Sequence, residues 1–525
     1  MNSEFHGYDL TDLSKLVGIE VEKWPKRIYQ STQEYISATE AALLSSGLDP
    51  DSYVVTELKR GLVYMKEQES KVANELRSAF EKDIKSGIYE IAIYLIELHK
   101  VKSIKGTKRE LFVYEEGVYV AGDDTLKMAI RELLGELCTT HYITEILETI
   151  RDRTAIGREK FIVNVDLINL NNGVLDIRTG ALNPHDPRNL FFTKIPIDFN
   201  PNADCPTIKE YLSEVLEEDQ IRVVQEWLGY TLYREYFIKK ALICVGEGDT
   251  GKTTLLNLIC AFIGERNLSG VSLQRITYDK FAAANLYNKH LNQYDDLSFK
   301  DIQDNGAFKM ATGGGFISGE KKFGDQFVFK NYAKLTFTCN KIPDVKDATD
   351  DAYFNRWIVL PFTRIIEEEK KDRRLIHKMT TATELSGLLN FALEGLKRIL
   401  ENQNFSYDKQ THEIKTEMMR SASSIARFAS DCLEEAGGEW ISKEGMYQVY
   451  GDYAGGNKIP AVSMKAFGSR LPMYAPYIAE FKPKDPKGKK QITAWRNVKL
   501  KVAQPDDFPT DSFDEPSQPS LLDTS

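Results

Sequence analysis

The octapeptide at residues 246–253, GEGDTGKT, restricts this chain more than any other stretch. It fits G-x-x-x-x-G-K-[ST], a loop that cradles phosphates. The glycines let successive backbone N–H groups turn inward into an anion-holding concavity, where a Cβ would crowd the phosphates. Lys252 is placed to reach β- and γ-phosphates, and Thr253 to give its hydroxyl to Mg²⁺. The flanks are those such a loop needs. Residues 241–245 (ALICV) read as a short buried strand, and residues 255–263 (LLNLICAFI) as a buried helix ending near Gly264. The helix N-terminus adds partial positive charge to the same spot. The expected nucleotide contacts are Gly246, Glu247, Gly248, Asp249, Thr250, Gly251, Lys252, Thr253 and Thr254.

The rest of the chain is that of a soluble globular protein. Its 525 residues have room for about three or four domains. No stretch approaches the roughly 18 apolar residues of a membrane span, and the first residues lack the basic and apolar runs of a signal peptide. The six cysteines are scattered without a Cys-x-x-Cys pair, and several fall in apolar runs. That pattern predicts buried thiols in a reducing compartment and no zinc site. A net charge of −10 leaves any contact with nucleic acid to local basic clusters.

In chain order, residues 1–100 read as a mainly helical region. Residues 101–238 read as an α+β domain. It opens with a hairpin over 110–121, turning at Glu116-Gly117, and continues with a helical stretch from Asp124 to about Arg151. Strands and turns follow over 161–200, and then helix from Pro206 to about Tyr233, with Trp227, Leu228 and Tyr230 on an apolar side. The nucleotide core runs over 239–365, and a helical subdomain over 366–425 begins with a charged, solvated connector at 367–373. A compact module spans 426–503. The Pro- and Asp-rich tail, 504–525, has the composition of a disordered segment.

Four stretches accompany the loop. His290 to Leu297 reads as a strand ending in Asp295-Asp296, where Mg²⁺ and an attacking water need carboxylates. Asp295 is assigned to the metal and Asp296 to the water; the alternative is an exposed acidic turn. The β-rich run 334–339 ends at Asn340, which can hydrogen-bond a γ-phosphate and the water, although Asn also commonly ends strands. Arg356 precedes the apolar run 357–362 and suits a finger reaching a neighbouring subunit's nucleotide, or else a surface ion pair. Residues 309–330 read as strand, Gly-rich tip, strand, with Lys321, Lys322 and Phe323 at the tip. Two cations flanking an aromatic suit a threaded DNA strand, or form a solvated turn.

Taken in order, these motifs resemble those of superfamily 3 helicases of the phage/plasmid and poxvirus primase-helicase family. The matching positions are the loop, Asp295-Asp296, Thr312 to Lys322, Asn340 with Pro343, and Arg356 to Phe362. Upstream, the segments beginning at Asn172, Asn200 and Gln225 resemble the domain preceding that family's core. Downstream, Leu385 to Leu396 and the chain from Phe428 resemble its helical follow-on and winged-helix module. The resemblance covers about residues 100–500. It implies an AAA+-like P-loop ATPase core, a homo-hexameric ring, ATP and Mg²⁺, and movement on single-stranded or forked DNA. It also implies work beside a separate primase or polymerase, in a prokaryotic cytoplasm or at a site of viral replication. Two positions depart from the family pattern. Gly315 stands where an Asp often follows Thr-Gly-Gly, and Asn355 stands where a second Arg often precedes the apolar strand. Near the C-terminus, Lys482, Lys484, Lys487, Lys489, Lys490, Arg496, Lys499 and Lys501 crowd around the wing of that module. Lys487, Lys489 and Lys490 are its expected DNA contacts; the alternative is a solvated, merely solubilising wing. Two further readings stay open: an ATP-switched initiator or loader that does not unwind, and a primase-helicase whose first 100 residues are a divergent primase.

Overall fold

A computed structural model describes residues 71–501, except 107–108, 162–163, 298–304, 321–325, 343–349, 458 and 484–490. The chain divides into two units. The second consists of Lys341–Phe354 and the chain from Gln410 onward, with a three-residue piece, Phe299–Asp301; the first holds the remainder. The protein is of mixed α/β class. No helix among the described residues is long and apolar enough to cross a membrane.

The first unit begins with helix at 71–82, followed by α1 (Ile84–His99), whose N-cap Asp83 accepts from Lys85 N at 3.1 Å. Strands β1 (Lys102–Ile104), β2 (Leu111–Glu115), β3 (Val118–Ala121) and β4 (Ala155–Ile156) form a sheet in the order β3-β2-β1-β4. The β2–β3 hairpin turns where the sequence places the turn. Glu116 and Gly117 there have φ of 46° and 90°, the paired positive values a two-residue hairpin requires. The long helical stretch expected after it is two helices, α2 (Asp123–Leu134) and α3 (Thr140–Thr154). Gly135 at φ 54° closes the first, and the Thr139 side chain caps the second. Strands β5 (Leu167–Leu170), β6 (Gly173–Asp176) and β7 (Leu182–Asn183) form a small antiparallel sheet.

Helices α4 (Pro206–Val215) and α5 (Glu218–Leu232) lead into the central sheet. The sequence gives α5 one apolar side, yet residues 223–232 are buried all round, Glu226 included. The polar exception is answered by Arg398, whose Nε lies 2.5 Å from Glu226 Oε1, and by Ser406. A second long helix, α7 (Ala382–Asn402), packs on α5 at very close range. A Cβ on Gly229 would sit 2.3 Å from Ala392 O, and one on Gly395 2.4 Å from Gln225 O. Only glycine permits this crossing.

The central sheet is wholly parallel. Its strands are β8 (Ala241–Val245), β9 (Leu268–Ser269), β10 (Leu291–Tyr294), β13 (Lys334–Cys339) and β14 (Trp357–Pro361), in the order β14-β8-β13-β10-β9. Every residue of β13 is buried, and so is all of β8 and β14 but the last position. That is the near-continuous apolar pattern of a parallel sheet covered on both faces. Helix α6 (Lys252–Ile263) follows β8 and ends at Gly264 as the sequence predicts. Between β10 and β13 stands the hairpin β11 (Phe316–Glu320) with β12 (Gln326–Lys330). Its first strand starts later than expected, because residues Gly306–Ala311 are helical. Phe308 stacks on Trp357 with ring centroids 4.7 Å apart, and Thr312 closes the helix through Oγ1 to Phe308 O. The glycines at 313–315 therefore precede the hairpin.

The second unit contains α8 (Thr411–Ala422), α9 (Ser424–Cys432), β15 (Leu433–Ser442), α10 (Lys443–Gly456), α11 (Met464–Tyr474), β16 (Ala479–Phe481) and β17 (Ala494–Leu500). The strands pair antiparallel in the order β15-β17-β16, with an irregularity between Glu435 and Trp440. The helices bury Phe428, Tyr450, Phe467 and Trp495 into one core.

Candidate functional site

Parallel strands all end on the same edge of their sheet, and ligands of such sheets sit there. At that edge the loop after β8 faces the ends of β10 and β13, enclosing a cavity of about 290 Å³. Its walls include Gly248, Asp249, Thr250, Gly251, Lys252, Thr253, Thr254, Asp295, Asp296 and Asn340. The structure thus gathers most of the sequence-predicted residues in one place, and adds Thr338 and Cys339 from β13. Gly246 and Glu247 lie at the base of the loop, outside the lining.

The loop is held from several sides. Gly251 is the N-cap of α6 at φ 94°, and a Cβ there would approach Val215 Cγ1 to 2.9 Å. Tyr211 donates its hydroxyl to Gly251 O at 2.8 Å, and burial pushes that phenol's pKa well up. Asp249, at φ 59°, accepts from Ile366 N through its backbone oxygen at 2.9 Å. Its carboxylate lies 3.0 Å from Lys371 Nζ. The sequence gives residues 367–373 as a solvated connector. Lys371 instead folds back onto the loop, and hydrogen bonds to Glu368 and Asp249 raise its pKa. Arg364, close by, donates to Ser213 O at 2.8 Å and lies 2.5 Å from Glu217.

Lys252 is nearly buried, at 8% exposure. Its ammonium donates to Gly246 O at 2.8 Å and Glu247 O at 2.6 Å, with Thr250 Oγ1 at 3.3 Å. The cation is therefore parked on the loop's own carbonyls at the cavity wall. Across the cavity, Thr253 Oγ1 donates to Asp295 Oδ2 at 3.3 Å. Asp295 Oδ1 accepts from the buried Thr338 hydroxyl and from Asp296 N at 2.9 Å. Asp296, at φ 50°, also donates its N–H to Thr338 Oγ1 at 3.1 Å. Thr338 thus orients both acids from the neighbouring strand, yet a threonine inside a β-rich run gives no sequence signal of that work. Asn340 is exposed at the end of β13, one residue past Cys339, whose thiol pKa burial pushes up to about 12.

Arg356 is not among these groups. It stands just before β14, where Trp357 pairs with Ala241, while the loop begins after Val245. Four residues of strand, at about 3.3 Å each, separate the two levels of the sheet. Lys321, Lys322 and Phe323, and likewise Lys487, Lys489 and Lys490, lie outside the described residues.

The residues present fit a nucleotide triphosphate with one hard cation. The loop offers N–H donors and an ammonium, and a hydroxyl faces a carboxylate across the cavity. No group of three or more His, Cys, Asp or Glu side chains suited to a metal occurs among the described residues. The Thr253 hydroxyl and the Asp295 carboxylate are the one or two protein oxygens that Mg²⁺ takes when phosphate and water complete its shell.

Fold and site together define a mixed α/β protein with an open pocket at the carboxyl edge of a parallel sheet. Residues 55–217 match the model described as "D5 N terminal like", and residues 244–356 match a family of unknown function, DUF5906. The second match runs from the end of β8 to Arg356. The chain is 24% identical over 287 residues to the putative helicase V13 of Sputnik virophage, an alignment covering 50% of this chain and 36% of that protein. The chain thus spans about a third of that relative's length. Among solved structures, two apo forms of the NrS-1 C-terminal region superpose with TM-scores of 0.43 and 0.38. Both are 13% identical, covering 78% of this chain and 98% and 97% of those. Over residues 55–217 the chain is thus similar to proteins of the D5 type.

Proposed function

We propose that this chain is a replication-associated, ATP-driven DNA helicase of the superfamily 3 type, working as a ring of identical subunits. The observation that carries the reading is the contact of Thr253 with Asp295 across the cavity beside Lys252. It supports an AAA+-like P-loop core in which Thr253 and Asp295 would hold Mg²⁺, neutralising phosphate charge when bound. Lys252 would leave Gly246 O and Glu247 O for the β- and γ-phosphates. Asp296 would polarise the attacking water, and Asn340 would hydrogen-bond the γ-phosphate. Arg356, a strand's length from its own loop, suits service to the ATP of the adjacent subunit. The order helix, strand, two helices, two strands in the C-terminal module supports a winged-helix reading. The β11–β12 hairpin would carry Lys321, Lys322 and Phe323 to single-stranded DNA.

The test is ATP hydrolysis with and without single-stranded DNA, together with displacement of a strand from a forked duplex. Lys252→Ala should abolish both. Arg356→Ala should keep ATP binding and lose turnover, and mixing it with Lys252→Ala subunits should restore part of the turnover. Hydrolysis without strand displacement under any condition would favour an ATP-switched initiator or loader. A chain that stays a single protomer with every nucleotide and DNA would end the ring reading.

A further inference from the structure

The antiparallel sheet of the C-terminal module carries an aromatic pair on its outer face. Trp440 on β15 stands directly across from Arg496 on β17, which faces Ala479 on β16. Phe481, two residues beyond Ala479, is in the next row, opposite Ala494 and Ser442. Residues directly opposite, or two apart along a strand, share a face. Trp440, Arg496 and Phe481 therefore share one face, while the intervening Trp495 points into the core. Trp440 and Phe481 each keep 37% of their surface exposed, with ring centroids 6.3 Å apart, and neither belongs to the module's core. Arg496 has no ion-pair partner among the described residues. Two acids of the sheet are occupied elsewhere: Glu480 with Lys443 at 2.5 Å, and Glu434 with Lys499 at 2.9 Å. The sequence joining β16 to β17 begins with Lys482 and contains four more lysines against one acid, Asp485.

Exposed rings beside unpaired cations have a defined complement. A base offers a π-face to an aromatic side chain, and its phosphate meets the cation. We propose that this sheet face binds single-stranded nucleic acid, with bases stacking on Trp440 and Phe481 and the backbone following Arg496 and Lys482. Duplex DNA keeps its base faces stacked internally and cannot use the rings. The inference rests on the DNA-translocating reading above for its ligand, but on different residues.

The test is fluorescence anisotropy of labelled oligo(dT) and of a duplex of equal length, with the full chain and no added nucleotide. W440A should weaken oligo(dT) binding roughly five- to a hundredfold, and F481A by a similar or smaller factor. W440F should recover most of the affinity, and W440A should leave duplex binding unchanged. Salt separates the two contacts: W440A keeps the wild-type slope of log K against log salt, while R496A flattens it by about 0.7. Thermal melts of W440A should match wild type, because the ring lies outside the core. Full oligo(dT) affinity in both W440A and F481A would overturn the proposal, as would equal losses for oligo(dT) and duplex. So would tighter DNA binding by W440A, which would assign the face to the acidic tail, whose residues 504–525 carry six acids and no Lys or Arg. A chain that binds oligo(dT) in this way yet never displaces a strand sinks the helicase reading alone. One that unwinds while both W440A and F481A keep full oligo(dT) affinity sinks this inference alone.

Discussion

The two edges of the central parallel sheet are built on opposite plans. At the carboxyl edge, exposed Asp295, Asp296 and Asn340 surround an open cavity, held in place by small side chains such as Thr338. At the amino edge, basic side chains stand at the start of one strand after another: Lys240 before β8, His290 before β10, Lys334 opening β13 and Arg356 before β14. Several are closed in by carbonyls. Lys334 is fully buried and donates to Tyr233 O at 2.6 Å, Tyr332 O at 2.8 Å and Glu235 O at 3.1 Å, with the Tyr230 ring 4.2 Å away. Burial pushes its pKa well down. Arg234, donating to Leu167 O at 2.7 Å, is pushed down to about 10, and Lys240 to about 8, again by burial. A buried charge is tolerated only when its donors are answered. Lys240 and Lys334 at the amino edge have theirs answered by carbonyls of the chain, whereas the carboxyl edge leaves its acids facing an open cavity. One edge fastens the α5–β8 connection to the sheet, and the other opens to solvent.

Breaking the amino edge should cost the most. Lys334→Met would strand three buried carbonyls, and a loss of about 3 kcal/mol or more is expected in urea unfolding. His290 comes next. Its ring nitrogens lie 3.0 Å from Thr193 Oγ1 and 3.0 Å from Thr231 O, and burial lowers its pKa to about 3. The folded state therefore holds His290 neutral while the unfolded chain takes up a proton below about pH 6.5. Its contribution is fully present above that pH and falls as pH drops toward 3, by up to about 1.4 kcal/mol per unit. Urea midpoints measured from pH 7 to pH 4 should show that slope, and His290→Gln should flatten it.

The carboxyl edge should show the reverse pattern, with small changes in stability and larger ones in activity. Thr338→Val removes the hydroxyl shared by Asp295 and Asp296. Roughly tenfold slower ATP hydrolysis is expected, with about 1 kcal/mol lost in the melt. Lys371→Ala should have the smallest effect. Its bridge to the largely exposed Asp249 is screened by solvent, so a rise of no more than about fivefold in the KM for ATP is expected. Paired exchange, Lys371→Asp with Asp249→Lys, should recover it. A large effect of Lys371→Ala on kcat would move that residue into the chemistry and blur the contrast between the edges.

What the sequence reveals follows the same division. The loop at 246–253, the strand before it and the helix after it are local, set by glycine spacing and a continuous apolar run. The acids at the end of β10 are legible because a strand period simply stops there. The amino edge is not legible. Lys334 and His290 sit in polar-looking steps between apolar runs, and only tertiary packing brings Tyr233 O, Tyr332 O and Glu235 O around one ammonium. Lys371 fails for the related reason that a charged run reads as solvated until its partner, over a hundred residues away in sequence, is known. The helix at Gly306–Ala311 is also hidden. Its residues read as the hairpin's first strand, and only the fold shows Phe308 stacked on Trp357.

The most direct measurement is calorimetric titration of ATP into the wild-type chain, Lys252→Ala and Asp295→Asn, each with and without Mg²⁺. If the carboxyl edge is the nucleotide site, wild type binds ATP tightly only with Mg²⁺ and Lys252→Ala binds poorly in both conditions. Asp295→Asn would then lose most of the difference that Mg²⁺ makes. Equal ATP affinity in all three chains, indifferent to Mg²⁺, would place the nucleotide elsewhere or nowhere in this fold.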